Sequence, residues 1–253
     1  IDLASLEHTL ETNSDISHVF MVHCETTTGI LNPLREIAAL VRKYKKKLLV
    51  DAMSSFGALP ISVSSEPFLA LAASSNKCLE GVPGLAFVIC KKSELKTRCG
   101  NSSSLVLDLC DQYEVLSKTG QYRFTPPTHV IAALDAALGE LSREGGVVAR
   151  QSRYLKNYKV LLGGMRSLGF EALLDDSLHS PIIVTFKNPK HKLFDFNNFY
   201  HHLFNNGFVI YPGKTTHAAT FRVGCIGDIY KKDLVLFLSA VQSYLSENDI
   251  FLS

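Results

Sequence analysis

Apolar and polar positions follow two rhythms along this chain. The opening segment, IDLASLEHTLETN, sets Leu3, Leu6 and Leu10 at helical spacing. The apolar run HVFMVHC (18–24) reads as a strand and ends in the polar turn ETTTG. A helix is expected next, with Asn32 as N-cap, Pro33 as first helical residue, and Leu34, Ile37, Ala38 and Val41 along one face. The basic run RKYKKK (42–47) closes that helix as a solvated last turn, favoured by the helix dipole. LLVDAM then gives an apolar strand ending in an acid, and FLALAASS a second apolar run. LAFVIC (85–90) supplies another strand, expected as the antiparallel member that such sheets often carry.

Residues 93–128 are less regular, and QYRFTPPTH cannot be helical across its Pro-Pro. A helix over 129–144 presents Ile131, Leu134, Leu138 and Leu141, and stops at Gly145-Gly146. Another continues to about residue 168 and closes at Gly169. The pattern then changes: FEALL, SPIIVTF, FVIYPG and TFRVGC read as strands, with helices near 195–206 and 230–247. The expected class is α/β. A mostly parallel sheet, covered by helices on both faces, occupies 1–145, and a small α+β domain occupies 146–253.

Composition narrows the function classes. The 253 residues are 46% hydrophobic and 20% charged, which suits a globular chain with a real core. A net charge of +2 offers no broad basic surface, so neither nucleic acid nor a membrane surface is expected as partner. No apolar run reaches the ~20 residues that span a bilayer. The six cysteines, at 24, 78, 90, 99, 110 and 225, form no C-x-x-C pair. That pattern is expected of free thiols in a reducing, intracellular and preferably cytoplasmic setting, rather than of a disulfide framework or a zinc site.

Three residues invite chemistry. Asp51 ends a buried-looking strand, where open α/β sheets bind ligands. It either begins a turn or holds a cation, a protonated ring nitrogen or a metal. Lys77, in SSNKCLEGVPG, is either an ordinary solvated loop lysine or a sheltered amine able to attack a carbonyl. Arg222 lies mid-strand among apolar residues, where it needs either an internal carboxylate or a ligand carboxylate for its fork. The ETTTG turn and Thr125 offer hydroxyls, as caps or as phosphate contacts. No G-x-x-x-x-G-K-[ST] or G-x-G-x-x-G is present, so nucleotide sites lose their signature. His23 with Asp175, Asp176 and His179 could be assembled into a metal site or a triad. The acids read better as a turn before a strand, no serine sits in a G-x-S-x-G elbow, and no metal is expected.

The ordered set HCETTTGILNPL, LLVDAMSSFGALP, SSNKCLEGVPGLAFVI, YRFTPPTH, LLDDSLHSPII, GFVIYPGK and FRVGCIG spans about residues 18–245. It resembles the 2-aminoethylphosphonate:pyruvate aminotransferases, a class V family of fold-type I pyridoxal-phosphate enzymes. The resemblance implies that Lys77 carries pyridoxal 5'-phosphate and shuttles a proton, while Asp51 pairs with the pyridinium nitrogen. It implies cofactor contacts from Thr27 and Asn76, a phosphate contact from Thr125 to the neighbouring subunit of a homodimer, and a carboxylate clamp by Arg222. The implied reaction converts 2-aminoethylphosphonate and pyruvate into phosphonoacetaldehyde and alanine. It also implies an N-terminal segment with a phosphate-binding Ser/Gly loop and a ring-stacking residue, so the large domain is expected to be incomplete at its start. Two alternatives stand beside it. One is a non-catalytic dimerisation or binding relative. The other is a sister class V enzyme, either an alanine–glyoxylate aminotransferase or a desulfurase with Cys99 or Cys110 as sulfur carrier.

Overall fold

The computed structural model describes residues 1–213, 215 and 218–252, so Lys214 of the GFVIYPGK stretch lies outside the described residues. The chain divides into two compact units: residues 1–23, 33–53 and 61–139, and residues 24–32, 54–60 and 140–253.

The first unit is built on a four-stranded sheet of order β1-β4-β5-β6, formed by His18–Val22, Lys47–Asp51, Ala70–Ser74 and Ala86–Cys90. The first three strands run parallel, and β6 pairs antiparallel to β5, as the sequence pattern expects. Helix α1 (Leu3–Thr12) starts on Asp2, whose side chain accepts from the Ser5 amide. Helix α2 (Leu34–Lys43) packs on β4 through Ile37, Ala38 and Val41, all fully buried. Its cap differs from the expected one. Pro33 is the cap and Leu34 the first helical residue, with no side-chain cap bond.

The two faces of this sheet are buried unequally among the described residues. Met21, Val50 and Leu71 share a register row and are buried. On the opposite face Phe20, Leu49, Ala70 and Cys90 form the neighbouring row; Phe20 is 67% exposed and the other three are half-buried. Because side chains alternate along a strand, Asp51 projects on this less buried face, two residues beyond Leu49. The middle is more ordered than its sequence suggests. Helix α3 (Lys92–Lys96) and helix α4 (Leu109–Thr119) flank a loop, and Asp108 caps α4 by accepting from the amides of Cys110 and Asp111. Cys99 and Cys110 are bonded as a disulfide, which corrects the expectation of free thiols throughout. The backbone sets their Cα atoms 5.3 Å apart, inside disulfide range. Helix α5 (Thr128–Glu144) begins in this unit and ends in the second.

The second unit holds the two-residue strands β2 (Cys24–Glu25) and β3 (Ile30–Leu31), paired antiparallel, and an antiparallel sheet of order β7-β9-β8. These last are Ile183–Lys187, Thr220–Gly224 and Tyr211–Pro212. Helices α6 (Gly146–Ser167), α7 (Phe196–Asn205) and α8 (Lys231–Glu247) complete it. Gly169, at φ +85°, follows α6 in the left-handed conformation, as the expected stop requires. The core is aromatic: Phe170, Phe186, Phe199 and Phe221 are almost fully buried, and Phe199 meets Phe221 edge-on with ring centroids 5.4 Å apart. FEALL was expected as a strand. It contributes only an isolated bridge, Ala172 to Phe186, and FVIYPG narrows to β8.

Candidate active site

Asp51 closes β4 beside the carboxyl end of β5, in register with Ala72. Its backbone carbonyl accepts from the His23 amide at 2.8 Å, and its Oδ1 accepts from the Met53 amide at 2.9 Å. One carboxylate oxygen therefore braces the turn, while Oδ2 has no hydrogen-bond partner among the described residues. Ser74, the last residue of β5, donates to the Met53 carbonyl at 3.3 Å and so ties the two strand ends together.

The loop after β5 is folded tightly on itself. Ser75, wholly buried, donates to the carbonyls of Val82 and Leu85, and the Gly81 amide donates to the Ser75 carbonyl at 2.8 Å. A Cβ on Gly81 would meet that carbonyl oxygen at 2.8 Å, so this return requires glycine. Packing turns Cys78 and Leu79 inward and Lys77 outward. Of the two environments the sequence left open for Lys77, the structure has the exposed one. Lys77 makes no ion pair among the described residues, and its amine is available to a ligand. Asn76, half-buried, precedes it.

In the second unit the ETTTG turn is held from several sides. The Thr27 amide donates to Glu25 Oε1 at 2.9 Å, and Thr185 Oγ1 to the Thr27 carbonyl at 3.4 Å. The Ser180 amide donates to the Gly29 carbonyl at 2.8 Å. Arg222, on β9, donates from Nη1 to the Thr26 carbonyl at 3.0 Å, whereas its Nε is buried with no partner. No carboxylate pairs with Arg222 among the described residues, so the internal salt bridge weighed at the sequence level is not what holds it. An arginine with a carbonyl on one nitrogen and a desolvated second donor is suited to accept a carboxylate.

The structure therefore groups the candidates in two sets. Asp51, Asn76 and Lys77 share the carboxyl edge of β4 and β5, and Thr27 and Arg222 share the turn of the second unit. Thr125 joins neither set, being exposed in the segment between α4 and α5 without a side-chain hydrogen bond among the described residues. The metal or triad grouping dissolves into structural partners. Asp176 pairs with Arg166, and His179 Nδ1 lies 2.8 Å from the Tyr158 hydroxyl. His23 is buried, and burial, opposed by Glu66, lowers its imidazole to about 4, so it stays neutral near pH 7. Sequence reading missed the bracing residues Ser74, Ser75 and Ser180. Each is an ordinary serine whose role exists only once its backbone partners are in place.

Within the first unit, a spare carboxylate oxygen on Asp51 and an exposed Lys77 amine without an ion pair among the described residues are the chemistry a pyridoxal-type cofactor would use.

Comparison with known proteins gives the family. The aminotransferase class-V family profile matches residues 1–218. The chain is 50% identical, over 98% of its length, to a 2-aminoethylphosphonate–pyruvate transaminase of Pseudomonas fluorescens, of which it covers 67%. It is 53% identical, over 90% of its length, to a 2-aminoethylphosphonate–pyruvate transaminase 2 of Burkholderia lata, of which it covers 60%. The chain thus spans about two thirds of the length of the curated relatives it matches. Among solved structures, pyridoxamine-pyruvate aminotransferase from Mesorhizobium loti superposes with a TM-score of 0.89 at 24% identity. That match covers 98% of this chain and 64% of the other, and at such identity it speaks for the fold alone. The chain belongs to the class V aminotransferases, a family of pyridoxal-phosphate enzymes.

Proposed function

We propose that the protein carrying this chain transfers the amino group of 2-aminoethylphosphonate to pyruvate, giving phosphonoacetaldehyde and L-alanine. The observation that carries this reading is the shared edge: Asp51 and Lys77 follow the carboxyl ends of adjacent parallel strands, braced by Ser74 and the folded 75–82 loop. The names of the relatives at about 50% identity support the choice of substrates. In this reading residues 1–145 belong to the cofactor-binding domain and 146–253 to the small domain. The active form is a homodimer and its setting cytoplasmic. No helix among the described residues is long and apolar enough to cross a membrane.

Bound pyridoxal phosphate would supply a ring that withdraws electrons from the amine-bearing carbon of the substrate. Asp51 Oδ2 would hold a proton at the ring nitrogen, its charge favouring the protonated form. Lys77 Nζ would anchor the cofactor and, once the substrate amine has displaced it, would carry the proton from the substrate carbon to the cofactor carbon. Arg222 would grip the pyruvate carboxylate with its fork. Thr27 and Asn76 orient the cofactor, and Thr125 contacts the phosphate in the partner subunit's site.

The test is alanine production from 2-aminoethylphosphonate plus pyruvate, run beside alanine plus glyoxylate. Turnover with the first pair, abolished in Lys77→Ala, is the expected result. Equal or faster turnover with the second pair would replace the substrate assignment, and no turnover with either would favour a non-catalytic relative.

A further inference from the structure

We propose that Cys99 and Cys110 form a reversible dithiol–disulfide site that ties α3 to α4. Three observations on this segment converge. The backbone brings the two residues, 11 apart in sequence, to a Cα separation of 5.3 Å and bonds them. Their exposure is unequal: Cys99 is exposed and Cys110 is 4% exposed. The loop between them carries Leu105, Val106 and Leu107, each about 70% exposed, so it makes little packing of its own and its closure rests on its ends.

Unequal exposure sets the order of the chemistry. Glu114 Oε1 lies 3.8 Å from Cys99 Sγ, within reach of a thiol hydrogen when the bond is reduced. Once Cys99 is deprotonated, its thiolate attacks one sulfur of a small external disulfide, forming a mixed disulfide and expelling one thiolate. Cys110 then loses its proton and attacks the Cys99 sulfur, expelling the second thiolate. Two protein thiols are oxidised by two electrons, one external disulfide is reduced to two thiols, and the two protons released go to those thiols. Reduction runs backward, with the incoming thiolate attacking the exposed Cys99 sulfur. Of the other four, Cys24, Cys78 and Cys225 are buried, and burial pushes the Cys24 and Cys225 thiols up, the latter to about 12; Cys90 is a half-buried free thiol on β6.

The site has a structural reach. Cys110 sits between Asp108, whose carbonyl accepts from Arg123 at 3.4 Å, and Asp111, which pairs with Arg123 at 3.4 Å. The disulfide thus fixes the start of α4 to which Arg123, two residues before Thr125, is attached.

One tryptic peptide, Cys99 to Lys118, contains both thiols and none of the other four cysteines. The protein is equilibrated in mixtures of oxidised and reduced glutathione, alkylated and digested, and that peptide is weighed. The expected result is an unalkylated peptide, lighter by two hydrogen atoms, whose fraction rises with the oxidised share and reverses with dithiothreitol. Urea-unfolded protein should need a mixture at least about ten-fold more oxidising for the same fraction, because its chain does not hold the ends together. Equal midpoints for folded and unfolded protein, or doubly alkylated peptide throughout, would overturn the proposal. So would protection of both thiols by zinc(II) without loss of the two hydrogens. Cys99, Cys110 and Glu114 place their ligand atoms within 4.8 Å of one another, and that result would make the trio a metal site instead.

Discussion

Arg222 donates from Nη1 to the backbone carbonyl of Thr26, 3.0 Å away, so strand β9 and the turn that carries Thr27 are joined by a single charged group. The same guanidinium keeps a buried Nε without a partner. Arg222→Lys retains the charge and loses the fork. Its KM for pyruvate should rise about ten- to a hundred-fold, with a smaller change in kcat, as expected for losing one charge-assisted hydrogen bond. Steady-state kinetics with pyruvate varied would check this, and an unchanged KM would remove Arg222 from the carboxylate site.

Asp51→Asn separates charge from scaffold. The asparagine carbonyl can still accept from the Met53 amide, the 2.9 Å bond that braces the end of β4, so thermal stability should hold. The ring nitrogen loses its counter-charge, and kcat should fall on the order of 100-fold. A matching loss of melting temperature would instead assign Asp51 a structural role.

Candidate residues were legible where residue type and position at a strand combine. Asp51 and Arg222 could be picked out because a strand-end carboxylate and a mid-strand arginine are costly without a partner, whereas Lys77 stood out by its Ser-Asn-Lys loop. The environment of Lys77 was not legible. Its exposure follows from Cys78 and Leu79 taking the inward positions of a loop closed by Ser75 and Gly81, a long-range outcome that periodicity does not encode. Helix α4 was missed for a related reason. Leu105, Val106 and Leu107 break the helical period just before its cap, and Asp108 restarts it through two backbone bonds. FEALL has strand composition, yet it makes a single bridge, Ala172 opposite Phe186, through the Leu173 amide to the Thr185 carbonyl and the Lys187 amide to the Glu171 carbonyl, too short a pairing for a strand.

Gly29 is the position at which the ETTTG turn admits no side chain. It has φ +92°, and a Cβ there would stand 2.9 Å from the Ile183 carbonyl oxygen. Gly29→Ala should destabilise the fold by about 1–3 kcal/mol and move the Thr26 carbonyl away from Arg222. Urea unfolding reads the first effect, and an unaltered midpoint would contradict it.

His23 gives stability a pH dependence of known sign. Its folded value, about 4, lies below the ordinary 6.5 because burial disfavours the imidazolium. Above pH 6.5 the ring is neutral in both states and its contribution is complete. As pH falls from 6.5 toward 4, the unfolded chain takes up a proton that the folded chain refuses, and stability declines. The loss from this residue should be about 2 kcal/mol between pH 7.5 and pH 5. Unfolding curves at the two pH values should differ by that much less in His23→Gln, and an identical difference in both proteins would contradict the assignment.

The claim beneath the whole account is that Lys77 is the amine to which pyridoxal phosphate attaches. The most direct measurement is borohydride reduction of the cofactor-loaded protein, followed by digestion and mass spectrometry. The account predicts a phosphopyridoxyl group on Lys77, absent from Lys77→Ala and much reduced in Asp51→Ala. Label on a different lysine, or undiminished label in Lys77→Ala, would contradict it.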